Sequence, residues 1–333
     1  MSDNKILKYT PKDYLKMIVN EHDMFVPYDE VDAEKVGTST KSFVMCKGEH
    51  LVNLYRYKKS KPQSHIITCV DNYIESSTEE EFKNLKIPVV LKSARYDDKE
   101  YTISEVTASQ LAEVFNINSP YISYVNDNPQ LIMSVDFLGK RNQMESFADM
   151  IDNHKIGRIH PISLWIDYFN EETEKEKYKN IQPEIKKQLL LDLIRAFLIR
   201  RAVLMDNDLN SGNLGFIFNK DFSEMSLISF DYEYCFNNNS KIVDMTKAIP
   251  KDFIEKNVIW LSKYYPNELQ IIINELSLTG EQKQQICDIL DEYKVSSGMR
   301  DYWKRIIFQN VQKLQGMGVT ALRENASERE LKD

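Results

Sequence analysis

Cysteine is scarce in this chain and has no pairing pattern. Cys46, Cys69, Cys235 and Cys287 are widely separated, and no two share a C-x-x-C spacing. The scattered positions indicate neither a disulfide framework nor a zinc site, and they read as reduced thiols in a cytosolic protein. The five histidines, His22, His50, His65, His154 and His160, show no metal-ligand spacing and read as surface or capping residues. No apolar run approaches the roughly 20 residues that span a bilayer. Met1 to Lys5 leads into no apolar signal core, so no membrane partner is expected, although export by a dedicated machine stays open. Basic residues are the minority, 43 against 51 acidic ones, and the net charge of -8 argues against nucleic acid as the main partner. Solenoid-type repeats are missing too.

What is present is an ordinary globular composition, 42% hydrophobic and 28% charged. With 333 residues the chain can bury one large core or two moderate lobes. Thr10-Pro11 is placed to start a short helix over 12–20. Strand patterns follow at 42–46, 51–57, 65–70 and 87–92, with a charged connection over 76–84 that reads as either mobile or helical. A helix is expected over 104–115, then a strand pair at 121–125 and 131–135 across Asn126-Asp127-Asn128-Pro129.

Beyond residue 135 helices dominate. Segments 145–152 and 162–169 read as helical, and 171–179 as a charged, solvated stretch. Pro183 opens a long helix to about Met205, in which Ile185, Leu189, Leu193 and Phe197 recur every four residues beside Leu190, Ile194 and Leu198. Further helices are expected near 252–263, 267–275, 281–293 and 298–315, and the charged last residues read as disordered. The expectation is an α+β, bilobal fold: a β-rich lobe over 1–133, a helical lobe over 134–318, and a disordered tail over 319–333.

The chemistry concentrates after the long helix, in Asp206-Asn207-Asp208-Leu209-Asn210-Ser211-Gly212-Asn213, with Asp231 eighteen residues past Asn213. The intervening segment reads as a hairpin: Leu214 to Phe218, a turn over 219–224, and Met225 to Phe230. Antiparallel pairing then makes Asn213 and Asp231 cross-strand neighbours, with Cβ atoms about 5 Å apart. An amide oxygen and a carboxylate at that separation, with Asp208 nearby, suit Mg²⁺ carrying phosphates. A lone D-x-x-x-x-N is most often a solvated loop. The full order of long apolar helix, Asp-rich loop, Asn, hairpin and Asp is far more restrictive, and it points to a phosphotransferase.

Phosphoryl transfer asks a protein mainly to position groups and neutralise charge. Asp208 is placed to accept or orient the proton of an attacking hydroxyl, with Asn213 and Asp231 as Mg²⁺ ligands. Lys92 ends an apolar strand and is the first choice for the α/β-phosphates of ATP, steadied by Glu105 on the next helix; Lys58 competes for the role. Gly37-Thr38-Ser39-Thr40-Lys41 is a candidate phosphate loop through Ser39 and Thr40, although its single glycine better suits a plain turn before a strand. The segment 131–136, including Met133 and Ser134, is the candidate hinge offering main-chain groups to adenine.

This set resembles the HipA-like bacterial serine/threonine kinases, distant relatives of the phosphoinositide kinases. Their catalytic loop has the form N-x-D-x-H-x-x-N. Asp208 falls on its catalytic Asp, Asn213 on its metal Asn, and Asp231 on the metal Asp of the later strand. The likeness extends over about 36–240, taking in the loop of Ser39 and Thr40, Val90-Leu91-Lys92, Ser104-Glu105 and Ser134-Val135-Asp136-Phe137. Departures stand at Asn210 for the family histidine, Asp206 for its Asn, and Tyr232 where a glycine follows the metal Asp. The sequence leaves open whether Asp206 aids metal binding or repels ATP.

The resemblance implies a cytoplasmic kinase using ATP and Mg²⁺, with a protein substrate such as a translation factor and a small DNA-binding antitoxin as partner. It also implies autophosphorylation at Ser39 or Thr40, which would repel bound ATP phosphates by like charge. Three alternatives remain open: a lipid kinase, an AMP-transferring enzyme, and a pseudokinase-like nucleotide-binding module.

Overall fold

The computed structural model describes residues 24–27, 41–93, 99–138, 142–151, 156, 159–237 and 252–330. The chain is α+β, an N-terminal antiparallel sheet followed by a largely helical C-terminal part. It divides into two compact units, residues 1–106 with 120–139, and residues 107–119 with 140–333.

The first unit is built on a five-stranded antiparallel sheet. Its strands are β1 (Phe25–Pro27), β2 (Lys41–Lys47), β3 (Lys86–Ser93), β4 (Ile122–Val125) and β5 (Asn128–Val135), in the order β1-β2-β3-β5-β4. Alternation sets the faces: Ile87, Val89 and Leu91 of β3 are buried, and they share a core with Val44, Cys46, Leu54 and Phe82. Asn126 and Asp127 turn the β4–β5 hairpin with φ of 49° and 58°, the left-handed backbone that short polar side chains tolerate.

The segment expected as a strand over 51–57 is instead a helix, α1 (Val52–Ser60). Its valine and tyrosines favour strands locally, but Leu51, Leu54, Tyr55 and Lys58 fall on one buried stripe at helical spacing. The strand expected over 65–70 shrinks to Ile66–Ile67. The charged connection holds a short helix, α2 (Glu79–Lys83), whose first turn is closed by a Thr78–Glu81 capping box. Helix α3 (Lys99–Val114) follows β3, and the division between the units falls within it.

The second unit carries a three-stranded sheet: β6 (Asn142–Ser146), β7 (Leu214–Asn219) and β8 (Met225–Ser229), with β7 central. Residues 145–146, expected as helical, close β6 before a single turn over Phe147–Met150. Helices α4 (Ile162–Thr173) and α5 (Pro183–Leu198) pack beside this sheet through an aromatic cluster. Trp165 stacks on Phe147 at 5.6 Å and meets Phe197 edge-on at 5.9 Å, while Phe169 stacks on Phe216 at 6.0 Å.

Among the described residues four further helices follow: α6 (Phe253–Tyr264), α7 (Pro266–Glu275), α8 (Gly280–Asp291) and α9 (Ser297–Glu330). Helix α9 runs through residues 319–330, which composition assigned to a disordered tail. Ala321 is buried, and Asn325 donates to the Ser262 carbonyl, so tertiary contacts hold a segment whose local composition is solvating. No described helix is long and apolar enough to cross a membrane.

Candidate active site

Helix α5 does not continue as an α-helix to Met205. It passes into a π-helical turn over Ile199–Val203, closed by the Leu204 N–H to the Ile199 carbonyl at 2.9 Å. This turn carries two consecutive arginines, Arg200 and Arg201, into the interior. The chain then reverses at Met205, whose φ is 52°.

The loop that follows is fixed from within. Asp206 is wholly buried and ion-paired to Arg200, with Nε donating to Oδ2 at 2.7 Å. Its other carboxylate oxygen accepts the Asp208 N–H at 2.8 Å. Asp206 is therefore a loop-forming residue. Both carboxylate oxygens are engaged inside the fold, and the Arg200 guanidinium meets the charge. Asn210 caps a short 3₁₀ turn by accepting the Gly212 N–H at 2.9 Å, and Asn213 ends that turn, buried, just before β7.

The hairpin expected between Asn213 and Asp231 is present, with Phe218 opposite Met225 and Leu214 opposite Ser229. Its register differs from the expectation by one residue. Phe230, not Asp231, faces Asn213, and its N–H donates to the Asn213 carbonyl at 3.0 Å. Asn213 still meets Asp231, because its Nδ2 donates to the Asp231 carbonyl at 3.1 Å. With Nδ2 committed, the amide oxygen is what Asn213 can offer to a cation. Asp231 itself has a φ of 59°, a left-handed conformation unusual for a residue with a side chain.

Hard oxygen donors gather here. A carboxylate oxygen of Asp231 and one of Glu233 lie within 4.8 Å of one another, a separation at which two hard oxygens can share a cation such as Mg²⁺. Glu233 was not among the residues singled out from sequence. Its position two residues after the metal-site Asp is the signal that could have found it.

Arg200 and Arg201 were also missed, although two adjacent charges inside the apolar run Leu198 to Leu204 are a readable sign of a buried polar network. Arg201 donates to the carbonyls of Asp206 at 2.7 Å and Leu209 at 2.6 Å. The Arg200 guanidinium also lies 4.3 Å over the Tyr232 ring. Burial works against the Arg200 charge, but Asp206 more than offsets it and the net shift of its pKa is upward. Burial pushes the Tyr232 phenol up as well.

In the first unit, Lys92 near the end of β3 and Glu105 on α3 are brought together. Nζ donates to Oε2 at 2.7 Å, and both side chains are buried. Lys58 sits on α1, not at a strand end, and its ammonium is held by the Ile66 carbonyl at 2.6 Å and by Asp71 at 3.2 Å. Those contacts give it a structural post. Met133 and Ser134 lie within β5, flanked by paired strands on both sides: Met133 opposes Leu91 and Ser123, and Ser134 opposes Val90 and Ile122. Their main-chain groups are thus turned toward the ladders. Ser39 and Thr40 lie outside the described residues.

No family model matches the chain, and no curated protein matches it. Solved structures do. The chain is similar to the proinflammatory kinase CtkA of Helicobacter pylori, with 13% identity and a TM-score of 0.47, covering 72% of this chain and 89% of that one. It is also similar to HipA of Shewanella oneidensis MR-1, solved with HipB and operator DNA as a toxin–antitoxin system. There the identity is 11% and the TM-score 0.49, over 95% of this chain and 73% of that one.

Proposed function

We propose that this protein is a Mg²⁺- and ATP-dependent kinase that transfers the γ-phosphate to a serine or threonine hydroxyl of a protein. The observation that carries this reading is the convergence of Asn213 on Asp231, directly after the loop that contains Asp208, whose main chain Asp206 holds. The Asn213 amide oxygen and the Asp231 carboxylate would hold Mg²⁺, which would supply charge neutralisation at the triphosphate. Asp208 accepts the proton as the acceptor oxygen bonds to the γ-phosphorus and the bond to the β-phosphate oxygen breaks, with ADP leaving. Lys92, fixed by Glu105, supplies positive charge for the α/β-phosphates. The likeness of the loop sequence to the HipA-like kinases extends the reading to a translation factor as substrate, a small DNA-binding antitoxin as partner, and self-modification at Ser39 or Thr40.

The experiment is incubation with ATP labelled at the γ- or α-phosphate, with Mg²⁺, alone and with a lysate. Protein labelling from γ-labelled ATP only, lost in Asp208→Ala, is the expected result. Labelling from the α-phosphate would make it an AMP-transferring enzyme. Tight Mg·ATP binding with no transfer would make it a nucleotide-binding module, and labelled lipid in added vesicles would make it a lipid kinase.

A further inference from the structure

The ladder between β7 and β8 ends at Leu214 and Ser229, and one further bond joins Phe230 to Asn213. Beyond that point no strand pairing sets where the loop 206–213 stands relative to the segment 229–231. Two side chains span the gap: Asn213, by one bond from Nδ2 to the Asp231 carbonyl, and Arg200, by several. The Arg200 guanidinium donates through Nη1 to Ser229 Oγ at 2.8 Å, to the Phe230 carbonyl at 2.9 Å and to the Asn213 carbonyl at 3.3 Å. Nη2 donates to the Asp231 carbonyl at 2.9 Å, and Nε to Asp206 at 2.7 Å. The Asp231 carbonyl thus receives both Arg200 and Asn213, and the Asp206 carboxylate joins Arg200 to the Asp208 N–H.

We propose that Arg200 is the positioning residue of this site, setting the Asn213 amide and the Asp231 carboxylate at metal-binding separation while Asp206 relays the same constraint to Asp208. The inference rests on the kinase reading and adds a residue that touches neither metal nor substrate. A buried ion pair alone would not require it, since such pairs are often replaceable by apolar side chains with little loss. What no apolar residue can do is hold acceptors on two chain segments at once. Lysine does it poorly: it keeps the charge but replaces a planar fork of five donors by three on a single nitrogen, which cannot reach acceptors as far apart as Asp206, Ser229 and Asp231. The π turn is the local device that makes this reach available, because it directs Arg200 and Arg201 inward from consecutive positions.

The test is calorimetric titration of Mn²⁺ into the full chain with ATP, for the wild type, Arg200→Lys and Arg195→Gln. Arg195 belongs to a different ion pair, with Glu275 at 2.9 Å, and serves as the control for general destabilisation. Arg200→Lys is expected to weaken Mn²⁺ binding about 10–100-fold, the usual cost of losing an outer-sphere support, while Arg195→Gln leaves it unchanged. Unchanged Mn²⁺ affinity in folded Arg200→Lys overturns the proposal, and so does an equal loss in Arg195→Gln. If Arg200→Lys does not fold, Ser229→Ala removes one acceptor of the fork with little change in volume. A smaller loss in the same direction then supports the proposal, and no loss overturns it. Wild-type protein that binds no Mn·ATP rejects the kinase reading itself, and this inference with it.

Discussion

Lys92 and Glu105 form an ion pair of 2.7 Å between a sheet strand and the helix that follows it, with side chains 8% and 7% exposed. Two charges so deeply placed are each costly to leave alone, because the desolvation penalty persists when the partner goes. Lys92→Met or Glu105→Leu alone is expected to destabilise by about 3 kcal/mol, and the double variant by much less than the sum. Urea unfolding of the four proteins measures this. Additive losses would show that the two side chains do not depend on each other.

The metal site gives a second expectation. ATP should raise the melting temperature of the wild type only when Mg²⁺ is present, since a ligand that binds the folded state stabilises it by mass action. Asp231→Asn removes the carboxylate charge while keeping its shape, and it should abolish the Mg²⁺-dependent part of the shift. A full shift in that variant would remove Asp231 from the ligand set.

Gly48 opens the 3₁₀ turn after β2, and a Cβ there would lie 2.0 Å from the carbonyl oxygen of Phe82. The obstacle is backbone, so a swing of a side chain cannot relieve it. Gly48→Ala is expected to cost about 2–3 kcal/mol through forced displacement of the chain around α2. Thermal unfolding with no loss would mean that this turn is looser than its packing indicates.

Stability should also fall at high pH through Cys46. Burial, with the Glu49 charge adding to it, pushes this thiol from an ordinary 9.0 up to about 12. The folded state therefore holds the proton more tightly than the unfolded chain. The stabilisation is complete below pH 9 and is lost as pH rises from 9 toward 12. At pH 10 the loss traceable to this thiol is about 1 kcal/mol. Cys46→Val, which keeps a small apolar side chain, should show a flatter decline between pH 9 and pH 11 in denaturant unfolding, and parallel curves would refute the assignment. The same burial should leave Cys46 inert to alkylation at pH 8 in the native protein.

Several features were legible in the sequence because they are local. The β7–β8 hairpin follows from turn formers at 219–224 between two apolar runs, and α5 follows from its four-residue repeat closed on the N-terminal side by Pro183. The meeting of Asn213 with Asp231 was legible from spacing to within one residue, because a hairpin returns the end of its second strand to the start of its first. The Lys92–Glu105 approach was readable for a similar reason: the lysine lies near the end of a strand, and the next helix in the chain carries the glutamate.

What tertiary structure alone decided are matters of partner and environment. Residues 52–60 became a helix because packing against Phe82 and Ile87 rewards a buried stripe over the strand preference of their tyrosines and valine. Residues 319–330 became helical because Ser262 and the neighbouring helices give them something to pack on. The role of Asp206 was undecidable from its neighbours in sequence, since a carboxylate becomes a ligand, a repulsive charge or a loop anchor according to which groups surround it. Arg200 supplied that answer. It lies six residues earlier in sequence but is brought opposite Asp206 only by a π turn and a chain reversal at Met205. Sequence spacing specifies which residues can meet along one element, whereas burial of a charge depends on every element packed around it.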